Sequence, residues 1–106
     1  MKLKLLTESI KKKLIDNYNK QNGTKSFKAV VKLFNPSGIG TWFLSELNPN
    51  DNVAFGLCCF EFEELGYVSL EELKSLKTPF GLGIERDLHF KPNKKTLDEC
   101  RTKAHP

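Results

Sequence analysis

Apolar residues first recur along this chain at Leu6, Ile10, Leu14 and Tyr18, four residues apart. That spacing lays them along one stripe of an α-helix. Thr7 stands where an N-cap hydroxyl is needed and Asn22-Gly23 offers a stop, which predicts an amphipathic helix over roughly 8–21. Lys11, Lys12, Lys13 and Lys20 fall away from the stripe. The period then changes to two. In "FKAVVKLF", Phe27, Ala29, Val31 and Leu33 share one face of a strand while Lys28 and Lys32 take the other.

"NPSGIG" is a turn by composition, and "TWFLSEL" follows as a second strand, so the two read as a hairpin. "NPNDN" is another turn. "VAFGLCCFEF" is apolar on both faces, as a central strand covered on each side would be, and its Ala54 and Gly56 permit close approach. Ser69 caps a short helix, with Glu72 at the capping-box position and Leu70, Leu73 and Leu76 as its buried stripe. "KTPFGLG" breaks that helix, "IERDLHF" reads as a strand, and residues 93–106 form a polar helix or tail capped by Thr96 or Asn93. The order predicts a single small α+β domain over residues 1–106. Its sheet is mainly antiparallel with about four strands, accompanied by the N-terminal amphipathic helix and two shorter ones.

At 106 residues the chain can bury roughly 65% of its unfolded surface, enough for one core without staples. No apolar run approaches a membrane span, and "MKLKLLTESIKKKL" has no apolar core of the kind a signal peptide carries. Three cysteines with no paired spacing fit a reducing, cytoplasmic setting. Charge divides the chain. Residues 1–34 carry nine lysines against Glu8 and Asp16, for +7. Residues 35–90 sum to −6 and residues 91–106 to +3. Such segregation suits steering of a charged macromolecule, although it also serves solubility.

The densest chemistry lies in "GIERDLHFKP". As a strand it would put Glu85, Asp87, His89 and Lys91 on one face and Ile84, Arg86, Leu88 and Phe90 on the other. A carboxylate and an imidazole two residues apart could form an acid/base pair or part of a metal site, but no third ligand accompanies them. No metal and no cofactor are expected, and the row reads as a solvated face. Arg86 sits among apolar neighbours and needs a carboxylate, for which Glu46 or Glu64 would serve as a buried ion pair or pocket. Glu46 is placed by the same periodicity beside Trp42 and Leu44.

Three adjacent helical lysines span about 200° of arc, so Lys11, Lys12 and Lys13 spread around the polar side instead of converging on a groove. "GLG" at 81–83 lacks the third glycine of a phosphate loop. "VAFGLCCFEF" lacks the leading basic residue of an RNA-binding strand. Cys58 and Cys59 have no basic neighbour to activate them and read as packing.

The ordered series "VVKLF", "TWFLSEL", "AFGLC", "ELGYVSLEEL" and "GLGIERDLHFKP" resembles a family of short bacterial proteins catalogued as a domain of unknown function. The resemblance covers roughly residues 3–92. It departs after "AFGLCCF", where acidic "EFEE" replaces a glycine-rich, proline-containing turn. What the resemblance implies is a setting on plasmids and other mobile DNA, not an activity. The expected role is that of a non-enzymatic accessory protein binding a macromolecular partner, a protein first. An inhibitor of a CRISPR or restriction nuclease would fit. The partner surface would be Lys11, Lys12, Lys13 and Lys20, or Glu61, Glu63 and Glu64. Nucleic-acid binding through the basic termini is the alternative, and a small hydrolase-like enzyme using Glu46, Arg86, Asp87 and His89 is the second.

Overall fold

The structure, a computed structural model, describes residues 5–20, 28–76 and 83–101. Seven elements follow in order: α1 (Glu8–Lys20), β1 (Val31–Phe34), β2 (Thr41–Asn48), β3 (Val53–Cys59), β4 (Glu63–Ser69), α2 (Leu70–Ser75) and β5 (Glu85–Arg86). The strands form one antiparallel sheet in the order β4-β3-β2-β1-β5. The α+β reading and the mainly antiparallel sheet are borne out. The sheet has five strands among the described residues because "EELGYVS" pairs with β3 as β4, and sequence periodicity did not assign that strand.

α1 begins where the pattern placed it. The Ile10 N–H donates to the Thr7 hydroxyl at 3.2 Å, the bond expected of an N-cap. Leu14 is fully buried against the sheet, and α1 lies across β2. The helix is also pinned by a polar contact. Asn17 is buried and its amide donates to the Ser45 carbonyl at 2.9 Å. This satisfies a backbone group that the ladder leaves open, because β2 bulges at Ser45. Leu44 faces Gly56 and Glu46 faces Phe55, so one extra residue sits on β2.

The sheet buries both faces. On the helix face, Leu14, Leu33, Trp42, Leu44, Leu47, Leu70 and Leu73 make one cluster. On the other, Phe43, Phe55 and Leu57 pack with Leu97 and Cys100 of the C-terminal segment. β3 is therefore buried from both sides over most of its length, as its apolar run required, with Val53 and Cys58 half-buried. Gly56 has a steric reason within β3: a Cβ there would meet the Phe43 carbonyl and come within 2.9 Å of the Leu44 Cα. The turn from β2 to β3 closes with Asn52 in the left-handed region at φ 57°. The Asp51 carboxylate accepts from the Val53 N–H at 3.0 Å beside it.

Several expectations are corrected. The alternation over 27–34 breaks at Val30: Val30, Val31 and Leu33 join the helix-side core while Ala29 joins the other. The cause is a change of partner, since Ala29 bonds to Lys95 and Asn93 instead of to β2. Leu76 is 45% exposed, not buried. α2 stops at Ser75, and Leu76 is its C-cap, where the chain turns extended (ψ 132°) and no further helical turn covers the side chain. The predicted C-terminal helix is, through Arg101, a single set of turns. It keeps the expected cap: the Glu99 N–H donates to the Thr96 hydroxyl at 3.2 Å, and the Thr96 N–H to the Glu99 carboxylate at 2.8 Å. The Asn22-Gly23 stop, Phe27, most of the 77–83 break and residues beyond Arg101 lie outside the described residues. No helix of the described residues is long and apolar enough to cross a membrane.

Candidate functional site

Of the residues proposed for chemistry, Glu46 and Glu64 are placed apart from Arg86, Asp87 and His89. The bulge at Ser45 turns Glu46 onto the face of Phe43 and Phe55, opposite Trp42 and Leu44. Arg86 pairs with Leu33, which pairs with Trp42, so its side chain belongs to the helix face. Arg86 and Glu46 therefore lie on opposite sides of the sheet. Glu64 lies on β4, the far edge from β5, about 19 Å away at ordinary strand spacing. Neither carboxylate is the partner expected for Arg86. Its guanidinium is half-buried, and Nη1 donates to the Leu5 carbonyl at 3.3 Å, tying the segment before α1 to the β5 edge.

Glu46 is 2% exposed. Loss of hydration disfavours the charged form, and burial pushes its carboxyl up from 4.5 to about 6.

The polar row of 85–91 does not form. The Asp87 carboxylate accepts from the His89 N–H at 2.8 Å, and the Phe90 N–H reaches the Asp87 carbonyl at 3.3 Å. That is a side-chain-closed turn, of the kind aspartate favours. His89 is exposed, while Asp87 faces Lys32 Nζ at 3.6 Å. Phe90 is carried to the opposite core, where its ring lies 5.9 Å from that of Phe43. Among the described residues, no three His, Cys, Asp or Glu side chains converge as a metal site would require.

The thiols read as packing. Burial raises Cys59 to about 12, with Glu63 adding to the shift, and it raises Cys58 and Cys100 as well. Protonated, buried thiols are poor nucleophiles.

The structure does assemble a site that the periodicity missed. α1 lies across β2, and α2 meets β4. Between them an open groove of about 870 Å³ remains on the helix face of β3 and β4. Its floor is Cys58, Gly66 and Val68, and its wall is Leu73 of α2 with Leu76 just past the helix end. At the tip of the β3–β4 hairpin Phe60 leans over Trp42, edge to face at 5.3 Å, and Phe62 stands beyond it. Four large apolar side chains stay exposed here: Ile39 at 63%, Phe60 at 54%, Phe62 at 75% and Leu76 at 45%. Acids stand among them, with Glu61, Glu64 and Glu72 lining the same groove.

Of the two predicted partner surfaces, the acidic one thus meets a cavity. Glu61 and Glu64 belong to the groove, while half-buried Glu63 points to the other face, paired across from Cys59. The lysines are spread as the helical arc required. Lys12 and Lys20 are exposed, and Lys11 and Lys13 are half-buried. The available signal for the groove was "FEFEE", because phenylalanines in a charged turn have no core to enter.

Comparison with known proteins agrees with the resemblance seen in the motifs. The model of the family described as "Protein of unknown function (DUF2958)" matches residues 5–105, and the chain belongs to that family. No curated protein and no solved structure matches it.

Proposed function

We propose that the chain is a binding protein without catalytic activity, and that it holds an apolar, basic segment of a protein partner in the groove between the β3–β4 hairpin and α2. The observation that carries this reading is the grouping of Ile39, Phe60, Phe62 and Leu76, each 45–75% exposed, around one groove. Single exposed hydrophobics are ordinary, but a contiguous patch with a polar rim marks an interaction surface. Glu61, Glu64 and Glu72 set the sign of that rim and favour lysine or arginine on the partner. The hydrolase reading loses support because Glu46 and Arg86 lie on opposite sheet faces and His89 sits in an exposed turn.

A host defence nuclease remains the proposed class of partner. Proteins that grip nucleic acid present lysine and arginine along the phosphate path, and an acidic groove is complementary to such a surface. The test compares captured proteins, not capture alone. Tagged native chain and the Phe62→Asp/Leu76→Asp variant are passed through the same host lysate, after both show the same melting temperature. The reading expects a partner retained by the native chain and reduced at least tenfold with the variant. Equal retention by both, or turnover of a small substrate that requires Asp87 or His89, would overturn it.

A further inference from the structure

We propose that the outer edge of β4 takes up an extended strand of the protein partner, seating a bulky apolar side chain over Gly66 and a lysine or arginine beside Glu64. This rests on the binding role above and specifies its geometry. Two hydrogen bonds at the ends of the β3–β4 ladder decide which backbone groups face outward. The Leu70 N–H donates to the Asn52 carbonyl at 2.9 Å, and the Phe60 N–H to the Phe62 carbonyl at 3.0 Å. Residues 52/70 and 60/62 are therefore bonded pairs, and in an antiparallel ladder bonded and non-bonded pairs alternate. With Gly56 opposite Gly66, the even-numbered residues of β4 bond to β3, and Glu63, Leu65 and Tyr67 turn their N–H and C=O groups outward.

An independent contact agrees with that parity. Arg101 Nη1 donates to the Glu63 carbonyl at 3.1 Å, so this carbonyl does point away from β3. Beyond it, β4 is the last strand of the sheet, and the backbone of Leu65 and Tyr67 is its open stretch among the described residues. An edge of this kind is a template for another strand. The side chains add a selective surface. Glu64, Gly66 and Val68 face the groove, and a Cβ built at Gly66 meets nothing within 4 Å. A phenylalanine or leucine on an incoming strand has room there, flanked by Phe62 and Leu76.

Charge selects the occupant. Pairing β4 with β4 of a second copy about Gly66 would set the Glu61–Glu64 tip of one copy beside Glu71 and Glu72 of the other. Like charges so placed are destabilising. A strand carrying lysine or arginine two residues from its apolar centre meets Glu64 instead.

The test is a titration of the ¹⁵N-labelled chain with the capped heptapeptide Lys-Lys-Thr-Phe-Thr-Lys-Lys, which presents the same pattern in either direction. The Leu65 and Tyr67 amide protons should move downfield and exchange at least tenfold more slowly on binding. The glutamate counterpart, Glu-Glu-Thr-Phe-Thr-Glu-Glu, should bind at least tenfold more weakly, and N-methylation at both threonines of the lysine peptide should weaken it similarly. Tyr67→Pro removes an outward donor that β3 does not use, a place where an edge strand tolerates proline. It should weaken binding at least fivefold, whereas Tyr67→Val, which keeps the N–H, should not. Binding that survives Tyr67→Pro and N-methylation but is lost with Phe62→Asp would overturn strand addition and leave the groove reading standing. No binding of the lysine peptide would also overturn strand addition, and the groove would then be judged by the lysate comparison.

Discussion

At the β5 side, the sheet ends in a strand of two residues, after which the chain turns at once through the Asp87 cap. The backbone facing that way is bonded: in β1 the Lys32 carbonyl accepts from the Asp87 N–H at 2.9 Å, and just before β1 Ala29 bonds to Lys95 and Asn93 at 2.7 and 2.9 Å. Arg86 and the Lys32–Asp87 pair add charge. At the β4 side, by contrast, a seven-residue strand is left with exposed Tyr67, an outward row of amides and a groove of exposed aromatic and aliphatic side chains. Natural sheets blunt their edges with short strands, charges and turns. Among the described residues, one edge is blunted and the other is not. In the proposed role, the closed side serves stability and the open side is the docking surface.

That division can be broken most forcefully at its two glycines. Gly56→Ala would drive a Cβ into the Phe43 carbonyl and the Leu44 Cα, backbone that cannot yield without opening the bulged ladder. The expected loss is about 3–5 kcal/mol, or failure to fold. Gly66→Ala enters open space and should stay within about 0.5 kcal/mol of the native chain. Chemical denaturation of the pair reads both. The leucines repeat the contrast at lower amplitude. Leu44, fully buried, should cost about 3 kcal/mol on truncation to alanine, and Leu76, 45% exposed, under about 1.

Glu46 sharpens the comparison through pH. Its folded value of about 6 lies above the ordinary 4.5, so the folded chain holds the proton more tightly than the unfolded one. Its contribution to stability is complete below pH 4.5 and declines as pH rises through 6, by on the order of 2 kcal/mol at pH 7. Glu46→Gln should remove that decline. It should be more stable than the native chain at pH 7 by up to about that amount, with the gain fading toward pH 4.5. A variant less stable than the native chain at both pH values would show that this carboxylate stabilises the fold.

How much of this was legible depends on whether an element's own residues decide it. Thr7 and Leu14 fix the start and face of α1, and Ser69 fixes the start of α2, where the Glu72 N–H meets its hydroxyl at 3.3 Å. The apolar run of β3 required cover on both sides, and it has it over most of its length. What periodicity could not show is the bulge, because "TWFLSELN" is buried along nearly its whole length and carries no alternation to interrupt. One extra residue there reversed the face of Glu46 and with it the expected ion pair. β4 was hidden by its glutamates and glycine, which are poor strand formers whose pairing comes from β3. The groove escaped because Ile39, Phe62 and Leu76 come from three separate segments.

Amide hydrogen exchange of the free chain, read residue by residue along β4, tests the open edge most directly. The two central pairs alternate within one short strand, so differences in local stability cancel. Gly66 and Val68, bonded to β3, should exchange at least about 100-fold more slowly than Leu65 and Tyr67, while the Asp87 amide at the opposite edge should share their protection. Leu65 and Tyr67 protected as well as Gly66 and Val68 would mean that the β4 edge is already covered, and the account of an open docking edge would be wrong.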